Sequence, residues 1–548
     1  MNIFKNITSG YKKIATGIAI VTFLAIVYIA LIPGGTLAQV YGALGTISGA
    51  QIKIVEYPQY NTTSNPDGTY SIPNVPYGTY NLRTRATGYA LNTTQVTVDA
   101  STITQDIFLI PGERYIAGGQ IYSGQWGTEF IAGNLGNKPT TYDVNFINLA
   151  GVTKNSSEDV ISANTAKGYK WSKYVTNITG DLEGSGTISS EQKIDVITLQ
   201  RSNSAGKLGF FEGTPLNLAG TEWFMPGLLY GGQWRSGFKV LNLGNSDADV
   251  TMNFYDVNGN PINTRNIIIP PKASQYYDWY TNGYVAGGSV PSSADGTATI
   301  ISNNAQPLNV VASQASESQG SLGLWNGIYL NDLKTDVFVT GQLYNGPWRS
   351  GFKVANLDST DANVSMYFYD VNGALINTKN VTIPPKASPY YDWNTYGYIA
   401  GGSIPSSADG TVRVVSNLGH KIYITESQAS ENPGILDFYP AVEINGNKTA
   451  GLIYLKFADG ERSGFKIANP SASPITATIK FYNATGTLVN TLPNSNIPAK
   501  SSPVYAWASY TTEPSGSVTV EASERISMTA YFASNNEAKL GIYKGVKV

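Results

Sequence analysis

Cysteine is absent from all 548 residues, and histidine occurs once, as His420. The first absence removes disulfides, thiolate metal sites and cysteine nucleophiles together. It does not assign a reducing compartment, because a domain of about 100 residues folds without such staples. One imidazole without cysteine does not make a zinc centre, and any histidine-based triad would have to run through His420. Charge is sparse as well: Asp, Glu, Lys and Arg supply 14 % of the chain, against about 25 % in an average soluble domain. With a net charge of −2 there is no clustered basic footprint for nucleic acid, and that class of partner is excluded. Long amphipathic helical patterns are missing too. What remains is apolar material for real cores, 42 % of residues, and 36 tyrosines among many Asn, Ser, Thr and Gly. The length calls for several domains, since a single core seldom grows past roughly 250–300 residues.

Lys5, Lys12 and Lys13 precede an uncharged apolar run from Ile14 to Ile32. Pro33-Gly34-Gly35 follows, then Thr36-Leu37-Ala38, which offers small residues at the −3 and −1 positions of a cut before Gln39. A basic start, an apolar middle and a small-residue end describe an export signal, residues 1–38. The run, about 19 residues, also nearly suffices to cross a bilayer as a helix, so an uncleaved anchor with its lysines inside is the other reading. Either way the remainder is expected outside the cell, secreted or at the surface, touching membrane only through residues 14–32.

Residues 39–112 are punctuated at short intervals. Asn65-Pro66-Asp67-Gly68 is a turn, because Pro presets φ and Gly supplies φ > 0. Thr69-Tyr70-Ser71-Ile72 alternates as a half-buried strand does. Val75-Pro76-Tyr77-Gly78-Thr79-Tyr80-Asn81-Leu82 is a second turn and strand, and Gly88-Tyr89 marks a third. These motifs, with Gly49-Ala50-Gln51-Ile52 ahead of them, closely resemble the carboxypeptidase regulatory-like (transthyretin-like) family. The resemblance implies a β-sandwich accessory module on an exported protein, and no peptidase domain accompanies it.

The rest is an internal repeat. Trp234-Arg235-Ser236-Gly237-Phe238-Lys239-Val240 returns as Trp348-Arg349-Ser350-Gly351-Phe352-Lys353-Val354, then as Arg462-Ser463-Gly464-Phe465-Lys466-Ile467. An eroded copy, Gln125-Trp126-Gly127-Thr128-Glu129-Phe130, stands earlier. Trp234 to Trp348, Trp279 to Trp393 and Trp393 to Trp507 are each 114 residues apart. A unit of about 110 residues is the size of an immunoglobulin-like sandwich and too long for a solenoid repeat. Four units follow, at 113–222, 223–331, 332–445 and 446–548. In the second, alternation in Phe238–Leu243 and Val250–Tyr255, the Asn258-Gly259 hairpin signal and the Pro270-Pro271 stop mark about seven strands. The expected fold is all-β: five tandem sandwiches after the N-terminal segment. The repeats resemble Asn-Gly-turn sandwich units of prokaryotic cell-surface proteins, a resemblance that implies no activity.

Candidate chemistry is thin. His420 falls opposite Gln306 of the preceding unit and reads as an exposed turn residue with nothing titratable around it. Glu317 and Glu431 recur at one repeat position, but each stands singly at a strand end, whereas glycoside hydrolysis needs two opposed carboxylates. Asp256-Val257-Asn258-Gly259-Asn260 spaces oxygen ligands as a structural calcium loop does. Its counterparts begin with Asp370 and Asn483 and lose ligands, so a plain hairpin is the competing reading. No other cofactor is expected. On a strand, Tyr277 and Trp279 face the core while Tyr276 faces out; Tyr276, Tyr280 and Tyr390 are therefore candidate ligand or interface aromatics. Outside residues 1–38, acceptor sequons stand at Asn61, Asn92, Asn155, Asn177, Asn363, Asn380, Asn447 and Asn483, a number that chance explains in so Asn-rich a chain.

Two functions share this fold. One is a non-catalytic structural subunit of a surface layer, sheath or filament. It would self-associate through sandwich edges that a charge-poor chain leaves unblunted, and Tyr-rich surfaces suit such interfaces. The other is an adhesin or carbohydrate-binding stalk that offers exposed rings to surface glycans. An enzyme's accessory part lacks a domain to be accessory to. Export is tested by sequencing the N-terminus of the mature protein: Gln39 is the expected first residue, and intact Met1 in a membrane fraction would show the anchor instead.

Overall fold

The computed structural model describes residues 35–547, except 40, 43–44, 87–88, 90–91, most of 100–113, 124–125, 175–182, 191–193, 203–207, 216–218, 232–233, 280–292, 317–321, 331–333, 346–347, 398–406, 431–434, 441, 444–446, 459 and 535–539. The expected signal or anchor run, 14–32, lies outside the described residues. Among the described residues no helix is long and apolar enough to cross a membrane. Among the described residues helix is confined to single turns such as Trp171–Tyr174 and Trp393–Gly397. The chain forms two compact units: residues 1–114 with the short segments 141–143 and 189–193, and the remainder.

In the first unit a four-stranded antiparallel sheet runs in the order Asn61–Thr63, Gln51–Ile54, Gly78–Arg85, Asn92–Val98. Alternate residues Ile52, Ile54, Tyr80, Leu82, Val96 and Val98 point to one face and are buried with Tyr70 and Ile72. The Asp67-Gly68 turn forms as its chemistry requires: Gly68 sits at φ +84° and Asp67 Oδ1 accepts the Thr69 amide at 2.9 Å. Gly35–Gln39 is a strand paired with Thr69–Pro73, so a cut before Gln39 would remove most of that strand.

Each repeat is a two-sheet sandwich. In the second, nine strands follow one another: Glu222–Gly231, Trp234–Asn242, Ala248–Asp256, Pro261–Ile269, Ser274–Asp278, Ser293–Ser302, Leu308–Ser316, Leu322–Asn326 and Ile328–Tyr329. One sheet has the order fourth, third, sixth, first, ninth; the other has fifth, second, seventh, eighth. The first two strands pair only beside their turn, at Tyr230–Arg235 and Gly231–Trp234, so this hairpin carries the chain between sheets. The first and third repeats share the order, and in the fourth the sixth and seventh strands run on as Ser515–Ser534. Nine strands exceed the seven expected from sequence. Pro226-Gly227 forms a bulge within the first strand, where register shifts between Met225 and Leu228 and Gly227 takes φ +74°.

Four aromatic rings build every repeat core. Phe238, Phe254, Tyr277 and Trp279 pack together, as do Phe352, Phe368, Tyr391 and Trp393, and Phe465, Phe481, Tyr505 and Trp507. The eroded first repeat keeps the set as Phe130, Phe146, Tyr169 and Trp171. Centroid separations run from 5.1 to 6.4 Å, the range in which tilted rings attract beyond their buried area. An asparagine ends each second strand, or in the fourth repeat directly follows it: Asn134, Asn242, Asn356 and Asn469, all fully buried. Its Nδ2 donates to carbonyls in the following turn and at the end of the fourth strand, as Asn242 does to Ser246 (2.8 Å) and Ile269 (2.9 Å). Its Oδ1 accepts a backbone amide two residues on, that of Gly244 in this repeat. The amide therefore ties two loops that have no ladder of their own. Phe352→Ala should cost about 3–5 kcal/mol, as loss of a fully buried ring does, and denaturant unfolding measures it.

Candidate functional site: the seams of a four-repeat ring

The third and fourth strands of each repeat are joined by a tight hairpin whose glycine has φ near +80°: Gly151, Gly259, Gly373 and Gly486. Each glycine lies against a backbone carbonyl of the next repeat. A Cβ there would stand 2.2 Å from the Pro271 oxygen, 2.0 Å from Pro385, 1.7 Å from Ala499 and 2.2 Å from Ala163, respectively. The last of these carries the fourth repeat back onto the first, and the four repeats close into a ring. The receiving turns are held in the left-handed region by Asn164, Lys272, Lys386 and Lys500, φ 56–61°. Backbone and hydroxyl groups complete the docking. Ser274 and Ser388 amides donate to Leu149 and Val257 carbonyls at 3.1 and 3.2 Å. Thr297, Thr411 and Ser517 hydroxyls donate to the Lys386, Lys500 and Asn164 carbonyls at 2.8, 2.6 and 2.8 Å. Inside the ring, the eighth strands Leu208–Glu212, Leu322–Asn326, Ile435–Pro440 and Leu540–Lys544 each touch the two neighbouring ones, the last touching the first. Phe211 packs with Leu324 across one such junction and Phe210 with Tyr543 across another, 5.8 Å between centroids.

Charge is spent at the same seams. Lys239 and Lys353 are buried in their second strands, and each meets an acid of the preceding repeat: Lys239 Nζ lies 2.5 Å from Glu183 and Lys353 Nζ 2.8 Å from Asp295. Burial pulls the Lys239 ammonium below its ordinary pKa, and Glu183 opposes that. Breaking a buried pair costs about 3–5 kcal/mol, because the surviving charge is left uncompensated. The closing seam, between the fourth and first repeats, removes both partners at once. Ile131 stands at the lysine position and Ser515 at the acid position, in matching registers. Ile131 and Ile453 join one apolar cluster there, and a separate ion pair, Arg201 with Glu461, spans the join, with Lys456 3.2 Å from Glu461. Burial would raise the Glu461 carboxyl, but Arg201 and Lys456 hold it below its ordinary range.

The sequence-predicted residues fall elsewhere. Tyr276 and Tyr390 keep 47 % and 44 % of their surface exposed. Their hydroxyl ends are covered: each lies over a glycine, Gly237 or Gly351, whose Cβ would come 2.1 Å from the phenol oxygen. Burial of that end pushes both phenols up to about 12. Tyr280, Glu317, Glu431 and Asn177 lie outside the described residues. Asn61, Asn155, Asn363 and Asn380 are exposed, and Asn92, Asn447 and Asn483 half-buried. In the candidate calcium loop, Asp256 Oδ1 accepts the Asn258 and Asn260 amides, both at 2.9 Å, and Oδ2 accepts Asn260 Nδ2 at 2.9 Å. Asp370 and Asn483 accept turn amides in the same way. These oxygens serve the hairpin, and among the described residues no group of three His, Cys, Asp or Glu is placed to hold a metal. His420 departs from expectation: it is half-buried, with Nδ1 3.3 Å from Asp358 Oδ2, so a titratable partner does face it. Sequence reading passed over the seam lysines. The signal was present, since Lys239, Lys353 and Lys466 each interrupt an apolar strand at one repeat position.

The carboxypeptidase regulatory-like domain model matches residues 39–109. No curated protein matches the chain. Among solved structures, a Thermotoga maritima protein, 1070, is 16 % identical over 20 % of this chain and 95 % of that one, with a TM-score of 0.17. The Anabaena sensory rhodopsin transducer is 19 % identical over 16 % and 90 %, TM-score 0.14. The Bacillus cereus major pilin subunit BcpA is 10 % identical over 71 % and 85 %, TM-score 0.12.

The docked glycines give the seams a direct test. Gly373→Ala adds a carbonyl clash to left-handed strain, whereas at Gly419 (φ +74°) a Cβ meets nothing within 4 Å. Gly419→Ala should cost roughly 1–2 kcal/mol and Gly373→Ala clearly more, by denaturant unfolding of the two variants.

Proposed function

We propose that the chain is a non-catalytic structural protein of the cell exterior, a subunit of a surface layer, sheath or filament whose building block is the ring of immunoglobulin-like repeats. The observation that carries this reading is where the scarce charges and special backbone go: into seams that fix four sandwiches against one another. A rigid block of this kind suits assembly, and fold alone does not supply a reaction. The N-terminal module, of a family made up mostly of accessory domains, fits a role outside the cell.

The outer edges refine how such blocks would associate. Each repeat ends its larger sheet in the fourth strand: Thr153–Ile161, Pro261–Ile269, Leu375–Ile383 and Leu488–Ile497. Against the expectation of unblunted edges, these strands carry Glu158 and Asp159, Arg265, Lys379 and Pro493 respectively. Charges and proline discourage strand addition, so self-association is expected through other faces.

A second reading, an adhesin or glycan-binding stalk, is favoured by the half-open rings of Tyr276 and Tyr390, which repeat at 114 residues. Negative-stain microscopy and light scattering at rising concentration separate the two. Lattices or fibres built of rings are the expected result. Single particles at every concentration, with no lattice on cells, would replace assembly by adhesion.

A further inference from the structure

The seam between the third and fourth repeats breaks the pattern of the two before it. Its acid and its lysine are present, as Asp409 and Lys466, at the positions of Asp295 and Lys353. They do not close on each other: among the described residues no carboxylate lies within ion-pairing distance of the Lys466 ammonium, and Asp409 Oδ1 is buried without a hydrogen-bond partner. The register gives one cause. Tyr276 and Tyr390 stand beside Lys239 and Lys353, but the residue beside Lys466 is Val504. Tyr531, from the neighbouring strand, lays its hydroxyl over Gly464 instead. A cleft of about 360 Å³ results, reached by Asp409, Lys466, Phe457, Val504 and Tyr531. Phe457 and Val504 are 47 % and 44 % exposed, an apolar wall without a cover. Burial holds the Lys466 ammonium below its ordinary pKa, with Asp409 and Glu426 pulling the other way, and pushes the Tyr531 phenol up to about 12.

An unpaired donor and an unpaired acceptor, both in a half-dry cleft with an apolar wall, call for a guest that satisfies both ends. A buried charge without a partner costs several kcal/mol, and a ligand that supplies the partner recovers it. The volume is at the small end of ligand pockets, about 300–1,000 Å³. We propose that this cleft binds a small zwitterion of the α-amino-acid class, its carboxylate taken by Lys466, its ammonium by Asp409 and its apolar side chain by Phe457 and Val504. At the two sister seams the protein's own ion pair occupies that role, so the ring would hold one guest.

Calorimetric titration of the full chain with L-leucine and L-phenylalanine tests this. Leucinol, which lacks the carboxylate, and 4-methylpentanoate, which lacks the ammonium, serve as controls. Saturable binding of the amino acids is expected, weakened at least about tenfold for either control, since each leaves one charge of the cleft unpaired. Val504→Tyr puts a ring at the position where the sister seams carry one, beside the ring of Tyr531; it should fill the cleft and abolish binding. Asp409→Asn should weaken the amino acids toward 4-methylpentanoate. No heat from either amino acid at about 10 mM, beyond the millimolar range of weak ligands, would overturn the proposal. So would unchanged leucine binding by folded Val504→Tyr or Asp409→Asn.

Discussion

A hairpin glycine pressed onto a carbonyl of the next repeat is the contact on which the ring depends. It recurs four times, and at each place two requirements coincide. Positive φ is needed twice over, in the glycine of the hairpin that reverses the chain and in the residue at the receiving turn. The close approach leaves no room for a methyl group. Everything else at a seam assumes this spacing: hydroxyls reach carbonyls only because the backbones are already close, and the lysines meet their acids only in that register.

The electrostatics follow from dryness. A lysine buried in a strand is tolerable when an acid from the neighbouring repeat reaches it, and the first two seams meet that condition. Where the fourth repeat returns to the first, both charges vanish together into Ile131 and Ser515, and no ion is stranded. Joining four copies in one chain makes such differences attainable. In a ring of four identical subunits every seam must be the same, whereas here one seam has lost the lysine and its acid and is joined by a different ion pair, two keep the pair, and one keeps its charges apart around a cleft.

Much of the architecture was legible in the sequence, and the reasons are local. Recurrent Phe, Tyr and Trp at a fixed interval located the repeat cores, and all four aromatic sets are buried as that interval implies. The Asp67-Gly68 and Asn258-Gly259 turns formed because their chemistry is written within four residues. Three things were hidden. The bulge at Pro226-Gly227 is defined only by the register of the paired sixth strand, which no local pattern supplies. His420 gains its carboxylate from Asp358, 62 positions away, which no local pattern reveals. Ring closure was the least visible, because contacts such as Ser517 with Asn164 join segments 353 residues apart and leave no periodic trace.

The closing seam also changes how the assembly answers to concentration. A ring of four separate subunits falls apart when diluted far enough, because each junction is a bimolecular equilibrium. Here the fourth repeat meets the first at an effective concentration set by the chain that already links them, of the millimolar order for short tethers. The Arg201–Glu461 join therefore does not need the strength of a stable dimer interface. The chain therefore retains its ring at any dilution, down to the single molecule.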